Sequence, residues 1–208
     1  EKGIIVEKKF NVGKNLDGYL IKQGAQKSIL YSVGDLVFSG IIFDKDGNNL
    51  SSIYADQYIP KPEIGDLISS IEQAGSFVKE GTSEREIYVF ADPNCHFCEK
   101  YYKETRQLVR DGQLTIKWIP VGFLKADSMD KAAFILSSED RVKAMQDINL
   151  GYNPGKVDDE SKMEVIKNQE FMQKSGLGGT PGIMYKKNGK WIAALNGLPV
   201  DKVLQSID

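Results

Sequence analysis

The sequence predicts a small β-rich unit followed by a larger α/β unit, and two observations indicate this division. The first fifty-odd residues contain short strand-like runs separated by glycines and by the Asp46-Gly47 turn signal. From about residue 83 onward, strand-like and helix-like segments alternate, which is typical of βαβ organisation. The length of 208 residues and the 41% hydrophobic content are sufficient for one large domain or two smaller ones.

The first unit is built from runs of strand-forming residues. The predicted strands are residues 4–10, 16–23, 28–33, 36–43 and 50–54. A segment of this size makes a marginal core by itself, and exposed strand edges can pair with another chain. We therefore expect this unit to mediate dimerisation.

A helix is predicted between the two units. Pro60 and Pro62 mark the boundary, because residues before proline are biased away from the helical region. Apolar residues then recur at helical spacing on one face, at positions 64, 67, 68, 71, 74 and 78. Residues 60–81 are interpreted as a linker helix, and an ordinary amphipathic surface helix remains the alternative.

The second unit follows the alternation of strand and helix. Gly112 ends its first helix, Ser161 and Glu164 form a capping box, and Asn188-Gly189 is a strong hairpin signal. The predicted strands are residues 86–91, 114–121, 183–187 and 191–195. The predicted helices are residues 95–110, 128–149 and 161–175, with a last helix from about residue 200.

Composition and charge disfavour some classes of partner. The net charge of −2 argues against a nucleic-acid or anionic-membrane partner. No apolar run approaches the roughly 18 residues that a membrane span requires. The chain begins at Glu1 without an apolar leader, and we expect that a signal peptide has been cleaved.

Cys95 and Cys98, the only two cysteines of the chain, lie between a predicted strand and a predicted helix. The unpaired N–H groups and the dipole at a helix N-terminus stabilise a thiolate. We therefore expect Cys95 to be an exposed nucleophile of low pKa. Cys98 lies one helical turn further on, where it can resolve a mixed disulfide.

His96, the single histidine of the chain, lies inside this motif. When protonated it would favour the thiolate and raise the reduction potential, and the alternative is an exposed spacer with little effect. One C-x-x-C and one histidine do not supply the ligands of a zinc site, so no metal is expected. A Cys–His hydrolase is excluded because neighbouring residues on a helix do not face each other. A purely structural disulfide remains open.

A second motif supports redox chemistry. The glycine-rich segment 176–182 contains Thr180-Pro181 at the entry to a predicted strand, where a cis peptide bond could form. Thr180-Pro181 supports redox chemistry because of its place in the chain, where the motifs follow the order C-x-x-C, helical segment, Thr-Pro, hairpin and helix.

With these motifs the chain resembles the thioredoxin superfamily and, within it, the periplasmic disulfide isomerases of the DsbC/DsbG family, DsbG most. The resemblance covers nearly the whole chain. The matching positions are 39–40, 46–47, 49–51, 87–93, 121–122 and 197–199.

The resemblance implies an α+β, cystatin-like dimerisation domain (1–59), a linker helix (60–81) and a thioredoxin-like α/β domain (82–208) with a helical insertion at about 126–175. It implies Cys95 as nucleophile, Cys98 as resolving thiol and Thr180-Pro181 as a substrate-binding cis-proline pair. It also implies a periplasmic homodimer with an uncharged client cleft and a membrane reductase of the DsbD type as electron donor.

The chain departs from the family at the dipeptide between the cysteines, which is His96-Phe97 and is expected to change the redox poise. Val89 stands where thioredoxins carry a buried acidic residue, and Asp92 and Glu99 are expected to be solvated. The predicted function is therefore isomerisation or reduction of client disulfides, with no cofactor beyond the redox-active pair. The alternatives are a reductase of cysteine sulfenic acids and a redox-independent dimeric chaperone.

Overall fold

The computed structural model describes residues 3–23, 26–59, 63–195 and 198–208. The chain divides into two compact units, Glu1–Lys61 and Pro62–Asp208. The predicted boundary at Pro60 and Pro62 lies outside the described residues, as does Gly197, one of the positions that carry the resemblance.

The first unit contains a four-stranded antiparallel sheet with the strand order β1-β2-β3-β4. The strands are β1 (Ile5–Gly13), β2 (Leu16–Gln23), β3 (Gln26–Val33) and β4 (Leu36–Phe38). Asn15 and Gly34, with φ of 61° and 55°, lie in the β1–β2 and β3–β4 turns. β4 ends five residues before the predicted end at residue 43.

The predicted strand at residues 50–54 is wrong, because this segment is the start of helix α1 (Leu50–Tyr58). Asn49 caps the helix, and its side chain accepts a hydrogen bond from the amide of Ser52. Tyr54 and Tyr58 lie four residues apart on one face, so both rings pack against Phe10, with centroids at 4.9 and 4.4 Å. The four-residue spacing of Tyr54 and Tyr58 indicates a helix, and the strand prediction does not take it into account.

The second unit contains a five-stranded sheet with the order β5-β7-β6-β8-β9, in which only β6 and β7 are parallel. The strands are β5 (Val78–Glu80), β6 (Glu86–Ala91), β7 (Thr115–Pro120), β8 (Gly182–Lys187) and β9 (Lys190–Leu195). The helices are α2 (Ile64–Ala74), α3 (His96–Arg110), α4 (Ser128–Ser137), α5 (Arg141–Asn149), α6 (Asp159–Lys174) and α7 (Val203–Ser206). A short 3-10 helix, Val200–Lys202, precedes α7.

The sheet of the second unit carries a hydrophobic core on each face. Ile87 and Val89 of β6 pack in one core with α3, whereas Tyr88 and Phe90 pack in the other with α2 and α6. The buried apolar side chains of α2 are Leu67, Ile68 and Ile71. The helix predicted as a linker therefore packs on the sheet of the second unit.

The helical segment between β7 and β8 differs from the prediction in two places. The single helix predicted over residues 128–149 is wrong, because the chain turns between α4 and α5, where Asp140 accepts a hydrogen bond from the amide of Lys143 and caps α5. The cap of α6 is Asp158, which accepts from the amide of Ser161. Ser161 is thus the third residue of α6 and not its cap.

Candidate active site at the start of helix α3

Cys95 is the N-cap residue of α3 and is separated from the end of β6 by three residues. Its amide donates to the carbonyl oxygen of Asp92 over 2.9 Å, which closes the turn between strand and helix. Its sulfur accepts a hydrogen bond from the amide of Cys98 over 3.2 Å. The sulfur therefore occupies the position that a serine or aspartate oxygen takes in an ordinary helix cap.

The two thiols have opposite acidities. The hydrogen bond from the Cys98 thiol lowers the pKa of Cys95 to about 6, the amides of Phe97 and Cys98 act in the same direction, and burial opposes them. The same thiol hydrogen bond, together with burial and the charge of Cys95, raises the pKa of Cys98 far above its ordinary value. Cys95 is the stronger nucleophile of the pair at neutral pH.

The expectation of an exposed Cys95 is wrong, since Cys95 is 6% and Cys98 is 5% exposed. The loop before β8 covers the Cys95 sulfur, which lies 3.4 Å from the carbonyl oxygen of Thr180. The Thr180-Pro181 peptide bond is cis. The structure thus brings the C-x-x-C motif and the Thr-Pro pair together, and the Thr180 hydroxyl is buried without a hydrogen-bond partner in the described part of the chain.

The dipeptide between the cysteines faces solvent. His96 is exposed, Phe97 is 68% exposed, and the two rings meet edge to face with centroids 5.9 Å apart. The tuning of the redox poise by His96 and Phe97 stays a prediction. Phe97 also lines a groove of about 460 Å³ beside the thiols. The other residues that line it are Lys100, Tyr101, Glu104, Pro181, Leu198, Pro199 and Val200.

Asp92 is the residue of the site that sequence reasoning missed. It was expected to be solvated, and the structure shows it 2% exposed, with its carboxylate accepting hydrogen bonds from both main chain and side chains. With Cys95, Cys98 and Glu99 it lines a cavity of about 30 Å³, enough for about one water molecule. No local signal in the sequence indicates this burial, because three of the four donors that hold the carboxylate come from distant segments.

Within 3–23, 26–59, 63–195 and 198–208, no group of three or more His, Cys, Asp or Glu side chains is arranged to hold a metal ion. None of the helices that the structure describes has the length and apolar character required to span a membrane.

Comparisons with known proteins agree with this geometry. A family model described as "Thioredoxin-like domain" matches residues 78–206. The chain is 28% identical over 195 residues to the thiol:disulfide interchange protein DsbG of Pseudomonas aeruginosa, covering 89% of this chain and 76% of the relative. It is 29% identical over 217 aligned residues to DsbG of Escherichia coli K12, covering 100% and 87% of the two chains.

A solved structure shows the same fold. The periplasmic thioredoxin-like protein from Salmonella enterica serovar Typhimurium superimposes with a TM-score of 0.52 at 16% identity, covering 67% of this chain and 94% of that one. The predicted fold class and the resemblance to DsbG are confirmed.

Proposed function

This chain belongs to the thioredoxin-like domain family and is a thiol–disulfide oxidoreductase, and from this premise we propose that it isomerises or reduces non-native disulfides in client proteins. The Cys95 thiolate attacks one sulfur of a client disulfide and displaces the other as a thiolate. In isomerisation a second client thiolate attacks the client sulfur of the mixed disulfide, so Cys95 leaves unchanged. In reduction Cys98 attacks Cys95, which releases a client dithiol and leaves the Cys95–Cys98 disulfide.

The observation that carries this proposal is the geometry of the pair, in which the Cys95 sulfur accepts a hydrogen bond from the Cys98 amide at the start of α3 and lies beside the Thr180 carbonyl. With a pKa of about 6, Cys95 is mostly thiolate at neutral pH, whereas Cys98 remains protonated beside it. Once Cys95 is bonded to a client sulfur, it no longer carries the charge that holds the proton on Cys98. Cys98 then ionises more readily, and it becomes a nucleophile only when a mixed disulfide is there to resolve.

The groove lined by Phe97 supports a protein substrate. It lies beside the Thr180-Pro181 pair and presents apolar surface from Phe97, Pro181 and Leu198. An extended client that brings its sulfur to Cys95 can place a neighbouring apolar side chain in this groove. No cofactor is required, since the cysteine pair itself carries the two electrons.

We also propose that the protein works as a homodimer in the periplasm and that a membrane reductase of the DsbD type reduces the Cys95–Cys98 disulfide. The sheet of the first unit supports dimerisation, because both its edge strands and the segments beside them expose large apolar side chains. These side chains are Ile4, Ile5, Val6, Leu36, Val37, Phe38, Ile41 and Phe43.

Two substitutions of the full-length protein test the catalytic proposal. Cys95→Ser removes the nucleophile, so insulin reduction and the rescue of scrambled ribonuclease should both be lost. Cys98→Ser keeps the nucleophile and removes the resolving thiol, so mixed disulfides with clients should accumulate on non-reducing gels. Suppression of client aggregation should survive both changes if the fold also holds unfolded chains. Full redox activity in Cys95→Ser would disprove the mechanism.

A further inference from the structure

The carboxylate of Asp92 joins three separate segments of the second unit. Its Oδ1 accepts hydrogen bonds from the Asn94 amide over 2.9 Å and from the Ser128 hydroxyl over 2.8 Å. Its Oδ2 accepts from the amides of Phe123 and Leu124 over 2.8 and 2.9 Å. The partners belong to the loop before Cys95, the segment after β7 and the first residue of α4, so one buried side chain connects all three.

The main chain of Asp92 also acts on the nucleophile directly, because its carbonyl oxygen accepts the hydrogen bond from the Cys95 amide. The orientation of Cys95 at the helix cap therefore depends on the orientation of Asp92. A carboxylate held by four donors is fixed in position, and a fixed Asp92 fixes the turn that presents the Cys95 sulfur to the first amides of α3.

The first turn of α4 is held tightly against this network. Ser128 is fully buried, and its hydroxyl also accepts hydrogen bonds from the Asn94 side chain over 2.9 Å and the Lys125 amide over 3.0 Å. A Cβ at Gly122 would lie 2.6 Å from the Cα of Met129, so only glycine permits α4 to approach so closely. The start of the helical insertion is thus part of the structure that supports Cys95.

We propose that Asp92 is a positioning residue for Cys95, which keeps the N-terminus of α3 directed at the sulfur and couples the start of α4 to its reactivity. This inference rests on the proposed function, in which Cys95 is the nucleophile. Asp92 acts through the backbone of the turn and does not itself react with substrate.

The direction in which the pKa of Cys95 changes distinguishes a positioning role of Asp92 from a direct effect of its negative charge. Loss of the held turn weakens the hydrogen bonds and the dipole at the sulfur, which raises the pKa of Cys95. Removal of a negative charge near a thiolate has the opposite effect and lowers that pKa. The other ionisable groups close to the sulfurs, which the test leaves unchanged, are His96, Glu99 and Tyr102.

The experiment follows alkylation of Cys95 by iodoacetamide against pH in the reduced full-length protein. In Asp92→Asn an NH2 group replaces one carboxylate oxygen and faces the two donors from which that oxygen accepted. Two of the four hydrogen bonds to the side chain are therefore lost. We expect the pKa of Cys95 to rise by roughly one unit, which lowers the alkylation rate at pH 6 roughly fivefold. Ser128→Ala removes one donor and should raise the pKa by less.

The matched control is Asp130→Asn, a second aspartate tied by hydrogen bonds to the same helix. Asp130 lies on α4, accepts from the Val157 amide over 2.9 Å and pairs with Lys162 over 3.0 Å, so its bonds among the described residues lead away from the turn before Cys95. This substitution should leave the titration of Cys95 unchanged. If it shifts the titration as much as Asp92→Asn does, general loosening of α4 explains the effect and the proposal is wrong.

The remaining outcomes also decide the question. A lowered pKa in Asp92→Asn, or an unchanged pKa in a folded protein of reduced stability, overturns the positioning role. If Asp92→Asn does not fold, Ser128→Ala decides alone: a rise supports the proposal, and an unchanged value overturns it. A wild-type Cys95 that titrates like a free thiol contradicts the proposed function and this inference together. If the wild-type protein, Asp92→Asn and Ser128→Ala all show the same low pKa of Cys95, only the positioning of Cys95 by Asp92 is contradicted.

Discussion

The amide of Cys98 donates a hydrogen bond to the sulfur of Cys95 over 3.2 Å, so the backbone of the second cysteine stabilises the sulfur of the first, which caps α3. A three-residue separation is the spacing at which an N-cap side chain meets the amide of the third helical residue. The C-x-x-C spacing therefore serves two purposes. It places the second thiol within reach of the first, and it stabilises the thiolate of the first before any substrate arrives.

The acidity of Cys95 predicts a pH profile for its alkylation. Since only the thiolate reacts, the rate in the reduced protein should rise with pH, reach half of its maximum at about pH 6 and be level above about pH 8. Mass spectrometry of protein quenched at successive times gives the rate at each pH. Cys98 should remain unmodified across this range, because its raised pKa keeps it protonated. A half-maximal rate near pH 9 would contradict the geometry at the helix cap.

Local signals were sufficient to predict the elements around the two cysteines. Strand β6 was predicted with its observed bounds, because a buried apolar run is followed at once by Asp-Pro. Helix α3 was predicted to its last residue, because Gly112, with a φ of 66°, marks its C-terminal end. These features depend on neighbouring residues only, so one sequence is enough to read them.

The burial of the site depends on residues distant in sequence, and no local pattern predicts it. The carbonyl of Thr180 that covers Cys95 is 85 residues away, and this pairing was expected only from the family resemblance. The amides of Phe123 and Leu124 and the hydroxyl of Ser128, which hold the Asp92 side chain, lie 31 to 36 residues beyond it. Aspartate is mostly exposed in folded proteins, so the burial of Asp92 emerges only once β7 and α4 are in place.

The exposed ring of Phe97 predicts a difference between large and small substrates. Phe97→Ala should raise the KM for insulin about fivefold, because a client loses apolar contact in the groove. Reaction with oxidised glutathione, which is too small to need the groove, should keep its rate. Leu150→Ala is the control, since Leu150 is 86% exposed and does not line the groove. Equal slowing with both substrates would show that Phe97 acts on the thiols and not on client binding.

A buried charge network predicts a large loss of stability away from the thiols. Glu80 is 8% exposed, and its carboxylate accepts hydrogen bonds from Arg106 over 2.6 Å and from the Trp118 indole over 2.7 Å. Glu80→Gln leaves the guanidinium without its charged partner and should lower the free energy of unfolding by about 3 kcal/mol. Urea denaturation followed by tryptophan fluorescence measures this loss.

The control for this network is Glu104→Gln, because Glu104 lies on α3 with Arg106. Glu104 pairs with Lys100 over 3.7 Å at the surface, so its substitution should cost less than about 0.5 kcal/mol. Similar losses for the two variants would mean that the buried pair contributes no more than a surface pair.

The exposed apolar side chains on the edge strands of the first unit predict a dimer. Charged residues at these positions should dissociate it. Static light scattering of the full-length protein should give twice the chain mass of 23.2 kDa. Ile5 in β1 and Val37 in β4 are 61% and 66% exposed, and a double Ile5→Lys/Val37→Lys variant places a charge on each edge strand. This variant should give the monomer mass with an unchanged circular dichroism spectrum, because charged edges resist pairing. Leu150→Lys, at a still more exposed position in the second unit, should remain dimeric. A wild-type protein of 23.2 kDa at micromolar concentration would refute the proposed dimerisation.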